Sequence, residues 1–389
     1  MALPFSYNVR SVRARWRATV LAICSIALVV AAVEVLMSMS EGFATALRST
    51  GRMDNAMIVE RGAAAELAST VTLAQRNTIL DDPRLARGPD GQPLASWEWV
   101  TVIALPKKAD GRRASVRLRV VSARTFDVRG GIRMTAGRRF SRGLNEVIVG
   151  QRIVDRVSGL ALDGTVRFRR KEFKIVGIFE SDGAAFESEI WADFDTAGPL
   201  FGRGTDAKCM VVRMKDSSEI PALDRWMRNQ PGMKLQAVPE TQYYENQSSF
   251  VSTTLKALAA LVALFMGAGA VFGAMNTMYA IVAVRTREIG TLRALGFSRP
   301  SILFSFVVES ALLALVGGAL GCLLAFGTHG YSTSVSNLQS FSEVAYAFRV
   351  TPRIVGSGMA FALAVGVAGG LLPALRAARM PIAAAVRED

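Results

Sequence analysis

Hydrophobic and polar positions divide the chain into four long apolar runs separated by polar segments. Glu34 and Glu309 are the only acidic residues inside these runs. A bilayer core about 30 Å thick requires about 20 apolar residues in a helix. Helices buried in a large soluble core are the alternative, but they seldom extend this far without a polar stripe. We therefore predict four membrane-spanning helices within residues 18–40, 257–284, 301–328 and 354–375.

The first run follows several basic residues, as the apolar core of a secretory signal does. A cleaved signal, however, has a core of about 7–15 residues, and the run at 18–33 is longer. We expect an uncleaved anchor, with cleavage as the alternative, and we expect Glu34 to lie at the membrane interface. The basic residues before the run are Arg10, Arg13, Arg15 and Arg17.

The long segment between the first two spans has the pattern of a mixed α/β domain. Residues 114–123 alternate Val116, Leu118 and Val120 with Arg117 and Arg119, which is typical of a half-buried strand with its arginines toward water. A hairpin is predicted at 164–180 and a helix at 63–80. Shorter strands are predicted at 57–60, 98–105, 146–150 and 209–214.

The segments that join this domain to the membrane, 40–49 and 241–257, are polar but carry no strong helix breaker. If they are helical, they extend spans one and two outward as a two-helix stalk. Flexible linkers are the alternative, and we favour the stalk.

The charge distribution predicts which side of the membrane each segment occupies. The formal net charge is +14, but residues 41–254 carry 32 basic and 26 acidic side chains, so most of the excess flanks the spans. That distribution weakens a nucleic-acid-binding interpretation. Basic residues on short flanks stay in the cytoplasm, and basic clusters at 10–17, 285–299 and 376–387 therefore indicate four spans with both termini inside.

These patterns give an α-helical membrane protein with four transmembrane helices, arranged one plus three, and a large mixed α/β extracytoplasmic domain between the first and second. The predicted segments are a cytoplasmic N-terminus (1–17), helix 1 (18–40), the stalk and outer domain (41–254), helix 2 (255–284), a cytoplasmic helix (285–300), helix 3 (301–328), a short extracytoplasmic loop (329–353), helix 4 (354–375) and a cytoplasmic C-terminus (376–389).

Each of the last three spans contains two glycines four residues apart. This spacing places both glycines on one helix face, where two backbones can approach closely. Glycine is also common in membrane helices, so a single pair is weak evidence. Three pairs together predict tight packing within a bundle or across a dimer, at Gly269 and Gly273, Gly317 and Gly321, and Gly366 and Gly370.

The loop between spans two and three, 284–300, has helical spacing. Its apolar residues fall on one face and its charged residues on another, Gly296 marks an end, and Pro300 begins the next span. Two interpretations follow from the residues alone. The helix either lies on the inner membrane surface with its arginines toward anionic headgroups, or it presents a face to a cytoplasmic protein.

Residues 282–321 resemble the permease domain of the MacB, LolC and FtsX type of ABC-transporter membrane subunits, and residues 371–389 are similar to the ending of that family. The one-plus-three layout also matches, whereas the outer domain is more loosely similar to that of macrolide exporters. The resemblance implies that the loop is a coupling helix that binds a cytoplasmic ATPase, at Arg285, Arg287, Glu288, Ile289, Gly290, Arg293, Ala294 and Gly296.

The resemblance also implies the partners of the chain. Two permease subunits, identical or paralogous, would assemble with two ATPase subunits in the inner membrane, with a periplasmic adaptor as an optional further partner and no nucleic acid. The chain contains no phosphate-binding loop of the form G-x-x-x-x-G-K-[ST]. We therefore expect ATP and Mg²⁺ on a separate ATPase chain and no cofactor or metal on this one.

The residues offer no catalytic constellation. His329 is the single histidine, and no Cys/His cluster suits zinc. An acid inside a span is a functional candidate by default, so Glu309 has two interpretations, a helix contact or a proton pathway, and we favour the contact. We expect a non-catalytic permease subunit that exports a hydrophobic or bulky substrate. The alternative is an FtsX-like subunit that regulates an outer partner such as a cell-wall hydrolase.

Overall fold

The computed structural model describes residues 16–201, 205–337 and 342–380. The basic residues Arg10, Arg13, Arg15 and Arg387, and most of the predicted terminal segments 1–17 and 376–389, lie outside the described residues. The chain forms two compact units. The membrane unit comprises the residues up to Glu41 together with Thr253–Tyr331 and Phe348 onward, and the outer domain comprises Gly42–Ser252 and Ser332–Ala347.

The helices are numbered in chain order over the described residues. They are α1 (Trp16–Arg48), α2 (Leu73–Leu80), α3 (Thr125–Val128), α4 (Gln151–Val154), α5 (Phe194–Ala197), α6 (Ile220–Asn229), α7 (Glu240–Val284), α8 (Thr286–Ala294), α9 (Arg299–Phe326) and α10 (Pro352–Arg379).

Four helices in the described part of the chain, α1, α7, α9 and α10, are long and apolar enough to cross a membrane. Helices α1 and α7 are longer than the apolar runs that predicted them. They continue without a break through residues 41–48 and 240–254, which confirms the helical interpretation of those polar segments. At the start of α10, the Thr351 side chain accepts a hydrogen bond from the amide of Ile354, and Pro352 occupies the first turn.

Glycines allow the membrane helices to pack closely. A Cβ atom at Gly317 would lie 2.9 Å from the carbonyl oxygen of Ile23 in α1, and one at Gly321 would lie 2.7 Å from that of Ala27. In α10, Gly366 faces Ala314 and Gly370 faces Ser310, both in α9, with no room for a larger residue. These two pairs therefore lie at helix contacts within the chain.

The third glycine pair has a different environment. Gly269 and Gly273 in α7 are exposed, and a Cβ atom at either position would meet nothing within 4 Å. Their predicted packing is therefore not made within the described residues of this chain, and packing across a dimer stays a prediction.

Valine substitutions at one glycine of each kind are expected to have different effects. Gly321→Val forces α1 and α9 apart, and overpacking of this kind costs about 1–3 kcal/mol. Gly273→Val, the matched control, meets no neighbour in the chain. Thermal unfolding of the purified chain in detergent checks this. Equal decreases in Tm for the two variants would show that the α1–α9 contact is not sensitive to volume.

The strands of the outer domain are β1 (Asn55–Glu60), β2 (Ala95–Pro106), β3 (Arg113–Val121), β4 (Arg133–Gly137), β5 (Glu146–Gly150), β6 (Thr165–Phe168), β7 (Lys171–Glu180), β8 (Glu189–Asp193), β9 (Cys209–Arg213), β10 (Leu235–Pro239), β11 (Ser332–Asn337) and β12 (Ser342–Ala347). The first ten form a mixed sheet with the order β10-β1-β9-β2-β3-β8-β5-β7-β4, in which β6 also pairs with β7. Among the described strands, β3 and β8 are parallel, as are β5 and β7.

One face of the sheet carries the main apolar core, which includes Val116, Leu118 and Val120 of β3. The alternation in β3 correctly predicted this face. The prediction that the other face is exposed to water was wrong, because Arg117 and Arg119 are buried. The sheet is covered on both sides at this position.

Residues 63–80 are only partly helical, so the predicted helix there is too long. A 3-10 turn occupies Glu66–Ala68, and Val71 bridges to Ala207 as extended chain. Helix α2 begins after Thr72, whose side chain forms a capping box with Gln75.

The predicted loop at 329–353 contains the hairpin β11–β12, which belongs to the outer domain. Arg152 donates to the carbonyl oxygen of Ala345 at 3.2 Å, and the Ala345 amide donates to Ser188 at 2.9 Å. Lys107 forms an ion pair with Glu343 at 2.8 Å. The description of this segment as a simple loop was therefore wrong, because part of it completes the outer domain.

Candidate functional site

Helix α8 is a discrete element with defined ends. Arg285, with φ −97° and ψ 10°, separates it from α7. At its other end the Gly296 amide donates to the carbonyl oxygen of Arg293 at 3.2 Å, and the Phe297 amide donates to that of Leu292 at 3.1 Å. These two bonds form a Schellman motif. Gly296 has φ +93°, which is the conformation this motif requires of a glycine. The predicted short helix ending near Gly296 is confirmed.

The inward face of α8 holds the helix against the membrane unit. Ile289 is buried in a cluster with Ile302 and Phe306 of α9, and Gly290 is also buried. Arg293 donates a hydrogen bond from Nη1 to the carbonyl oxygen of Ala378 in α10, at 2.9 Å. Helix α8 is therefore attached to both of the last two spans.

Arg285 lies in the interior of the membrane unit. Its Nη1 forms an ion pair with Oε2 of Glu309 at 2.8 Å, its Nε lies 3.3 Å from Glu288, and its guanidinium lies over the ring of Phe306. Only 7% of the Arg285 side chain and 2% of the Glu309 side chain are exposed. The prediction that Arg285 offers a surface to an ATPase is not supported by this position, whereas the interpretation of Glu309 as a helix contact is.

The outward face of α8 remains available to a partner. Leu295, just after the helix, is 72% exposed and adds an apolar group to the charged side chains of this face. The structure thus separates the predicted site residues into two groups, an inward group and an outward group. The outward group consists of Arg287, Glu288, Ala294 and Gly296, and together with the exposed Thr291 and Leu295, which were not predicted, it forms what we call the docking face.

A second site, which the sequence did not predict, lies inside the outer domain. It is a cluster of buried charges drawn from β2, β3, β8, the 3-10 turn, the segment after α3 and the first residue of α7. We call it the buried charge network. Its members are Arg117, Arg119, Arg129, Glu66, Glu98, Glu189 and Glu240.

Arg119 is the centre of this network. Its Nε and Nη2 donate to Glu189 at 2.7 and 2.9 Å, and its Nη1 donates to Glu66 and Glu98 at 2.9 and 2.6 Å. Nη2 also donates to Glu66, so all five N–H groups are used. Burial by itself raises the pKa of Glu66, but Arg119 and Arg117 outweigh it and lower the pKa to about 2.

Arg129 extends the network to the start of α7. It donates to Glu98 through Nε and Nη2, at 2.7 and 2.9 Å, and to Glu240 through Nη1. The other oxygen of Glu240 accepts from the Arg52 amide at 3.0 Å and from Asn55 at 2.8 Å. The first residue of α7 is therefore fixed to β1 and to the buried centre of the sheet.

Glu66, Glu98 and Cys209 lie close enough together to suggest a metal site. The arrangement does not favour a cation, because Nη1 of Arg119 already donates to both carboxylates. Burial also raises the pKa of the Cys209 thiol well above its ordinary value, and a protonated thiol is a poor ligand. We assign the two glutamates to the buried charge network, and the Cys209 thiol donates a hydrogen bond to Glu66 at its border.

Glu34, the other acid within the apolar runs, is also buried between helices, and its position at the level of the membrane interface stays a prediction. Its Oε1 accepts a hydrogen bond from the thiol of Cys322 in α9 at 3.0 Å, and the absence of a side chain at Gly358 in α10 makes room for it. Glu34 is 1% exposed. It therefore packs at the contact of α1, α9 and α10.

Comparison with known proteins connects these features to a family. Residues 19–230 match the MacB-like periplasmic core domain, and residues 260–382 match the FtsX-like permease C-terminal domain. The chain belongs to the MacB/FtsX family of ABC-transporter permeases. The second match covers α8, the Arg285–Glu309 pair and the last two spans, and the first covers most of the buried charge network.

Relatives of this permease differ in length. The macrolide export ATP-binding/permease protein MacB of Neisseria meningitidis is 24% identical over 286 residues, which cover 69% of this chain and 43% of the relative. The chain thus spans less than half of that protein. The uncharacterized ABC transporter permease YvrN of Bacillus subtilis is 28% identical over 287 residues, covering 66% of this chain and 67% of the relative.

Among solved structures, the periplasmic region of MacB from Actinobacillus actinomycetemcomitans matches 54% of this permease and 95% of its own chain. The sequence identity is 13% and the TM-score is 0.37.

Proposed function

We propose that this permease is driven by a separate ATPase subunit that binds the docking face of α8. The observation that supports this most is the construction of α8 itself. The helix is broken from α7 at Arg285, closed at Gly296, and anchored inward through Ile289 and Arg293, while its other face is left open. A charged helix fixed to two spans can pass a displacement of its partner to both spans.

In this proposal ATP and Mg²⁺ bind to the partner ATPase, and the closing of an ATPase dimer moves two permease subunits, identical or paralogous. The motion drives export of a hydrophobic or bulky substrate on the outer side of the inner membrane, with a periplasmic adaptor as an optional further component. Both termini of this chain would lie in the cytoplasm. The buried attachment of Glu240 supports the outer part of the proposal, because a displacement of α7 along its axis would reach the sheet through ion pairs rather than through a loose linker.

Charge reversal on the docking face tests the proposal. Arg287→Glu combined with Leu295→Asp is expected to reduce co-purification of the ATPase subunit from native membranes at least ten-fold, because it replaces a cation and an apolar contact with repelling groups (a loss of about 1.4 kcal/mol or more). Bound ATPase is measured by quantitative mass spectrometry and by ATP hydrolysis in the eluate.

The control is Arg225→Glu, an exposed arginine of α6 in the outer domain, which is expected to leave the yield of ATPase unchanged. Wild-type yield from the docking-face variant would refute the proposed role of α8. If the ATPase binds but reconstituted vesicles show no transport and an extracytoplasmic hydrolase co-purifies, the FtsX-like regulatory function replaces export.

A further inference from the structure

A groove of about 1010 Å³ lies between α7 and α10 in the membrane unit, next to α8. On α7 its lining extends from Asn276 to Ala283, and on α10 it extends from Leu372 to Arg379. Thr286 of α8 and Met380 also line it. At 1.5 Å per residue each of these stretches is roughly 10 Å long. The groove therefore extends from the level of α8 along the apolar part of the two helices.

The lining of the groove combines two cations with apolar walls. Leu372, Leu375 and Val282 contribute apolar surface, while Arg376 and Arg379 contribute guanidinium groups. Both arginines are exposed, and neither forms an ion pair with an acidic group within the described ranges. Two adjacent cations in a partly apolar groove repel each other unless an anion lies between them.

Polar groups and an aromatic ring complete the site. The guanidinium of Arg376 lies over the ring of Tyr279, 5.7 Å from its centre, and the side chains of Asn276 and Thr286 also line the groove. Cation-ring contact orients a guanidinium while leaving its N–H groups free to bind oxygen anions. A phosphate group with attached hydrocarbon chains has the matching shape and charge.

We infer that the groove between α7 and α10 binds the headgroup of an anionic phospholipid from the leaflet on the side of α8, with Arg376 and Arg379 binding the phosphate and the apolar walls holding an acyl chain. Basic pockets between transmembrane helices on the cytoplasmic side are a known mode of lipid binding. The groove lies beside the bond from Arg293 to Ala378, so a bound lipid would stabilise the attachment of α8 to α10. The inference shares with the proposed function the inner position of α8, but it requires no ATPase.

Lipid binding by the purified full chain tests the inference. The delipidated chain in detergent is titrated with dioleoylphosphatidylglycerol, dioleoylphosphatidylcholine or inorganic phosphate, and bound ligand is measured by native mass spectrometry. The wild type is expected to prefer phosphatidylglycerol. The variant R376Q/R379Q is expected to bind it roughly thirty-fold more weakly, about five-fold per arginine, and R376K/R379K is expected to retain most of the binding.

The matched control is Arg353→Gln, which removes an exposed arginine from the other end of α10 and is expected to have no effect. If R376Q/R379Q does not fold, the single variant Arg379→Gln is measured and is expected to bind about five-fold more weakly. Equal binding of the two lipids, wild-type binding by the glutamine variants, or competition by inorganic phosphate at equal concentration overturns the inference. Loss of ATPase co-purification with unchanged lipid binding also overturns it, and assigns the arginines to protein docking.

Discussion

Replacement of Arg119 by methionine is expected to unfold the outer domain or to reduce its stability severely. Methionine fills much of the same volume but leaves the carboxylates of Glu66, Glu98 and Glu189 close together without their central cation. Removing one partner of a buried ion pair typically costs about 3–5 kcal/mol, and Arg119 contacts three acids. Since whole domains are stable by only about 5–15 kcal/mol, a single substitution of this kind can prevent folding.

Thermal unfolding and limited proteolysis of the full chain measure this effect. The control is Arg142→Met, which breaks the ion pair of Arg142 with Asp195 at 3.0 Å, where both side chains are more than half exposed. Exposed pairs contribute about 0–1 kcal/mol, so the control is expected to keep the Tm and protease resistance of the wild type. Similar losses in both variants would mean that the buried charge network contributes no more to stability than an exposed ion pair does.

Substitutions at Arg285 and Glu309 are expected to be costly singly and mild together. Arg285→Leu removes the guanidinium from a carboxylate that is almost fully buried, and Glu309→Leu does the reverse. Each single change is expected to cost about 3–5 kcal/mol, whereas the double variant loses both charges and is expected to recover most of that cost. A double-mutant cycle on thermal unfolding in lipid nanodiscs measures the coupling.

Arg287→Leu is the control for this cycle, because Arg287 lies only two residues from Arg285 but is exposed. Arg287→Leu is expected to leave stability unchanged while weakening ATPase binding. This result would distinguish the structural role of Arg285 from the docking role of Arg287. Additive single effects, without recovery in the double variant, would show that the 2.8 Å pair is not coupled.

The C-terminal end of α8 was predictable from the sequence, whereas the role of Arg285 was not. Gly296 and Pro300 act on the backbone locally, so their effect can be inferred from neighbouring residues alone. The partner of Arg285 is 24 residues away on another helix. Its inward position depends on how α9 packs against the end of α7, and no local pattern encodes that packing.

The strand β3 shows the same limit in the outer domain. Its alternation correctly placed Leu118 in the core, but whether Arg119 is buried depends on what covers the opposite face of the sheet. The cover includes Phe186, whose ring lies 5.4 Å from the Arg119 guanidinium, and Tyr244 at the start of α7. Acids at 66, 98, 189 and 240 are scattered along the chain, and only the fold brings them together. A strand with two arginines and no nearby acid gave no signal of a buried ion cluster.

The β11–β12 hairpin has a practical consequence for anyone who wishes to study the outer domain in solution. Residues 42–252 expressed alone would lack Glu343 and Ala345, and the surface around Lys107 and Arg152 would be left bare. A soluble version that keeps these contacts needs residues 332–347 joined to the domain by a designed linker. In the native chain this segment is separated from the rest of the outer domain by two of the long apolar helices, α7 and α9.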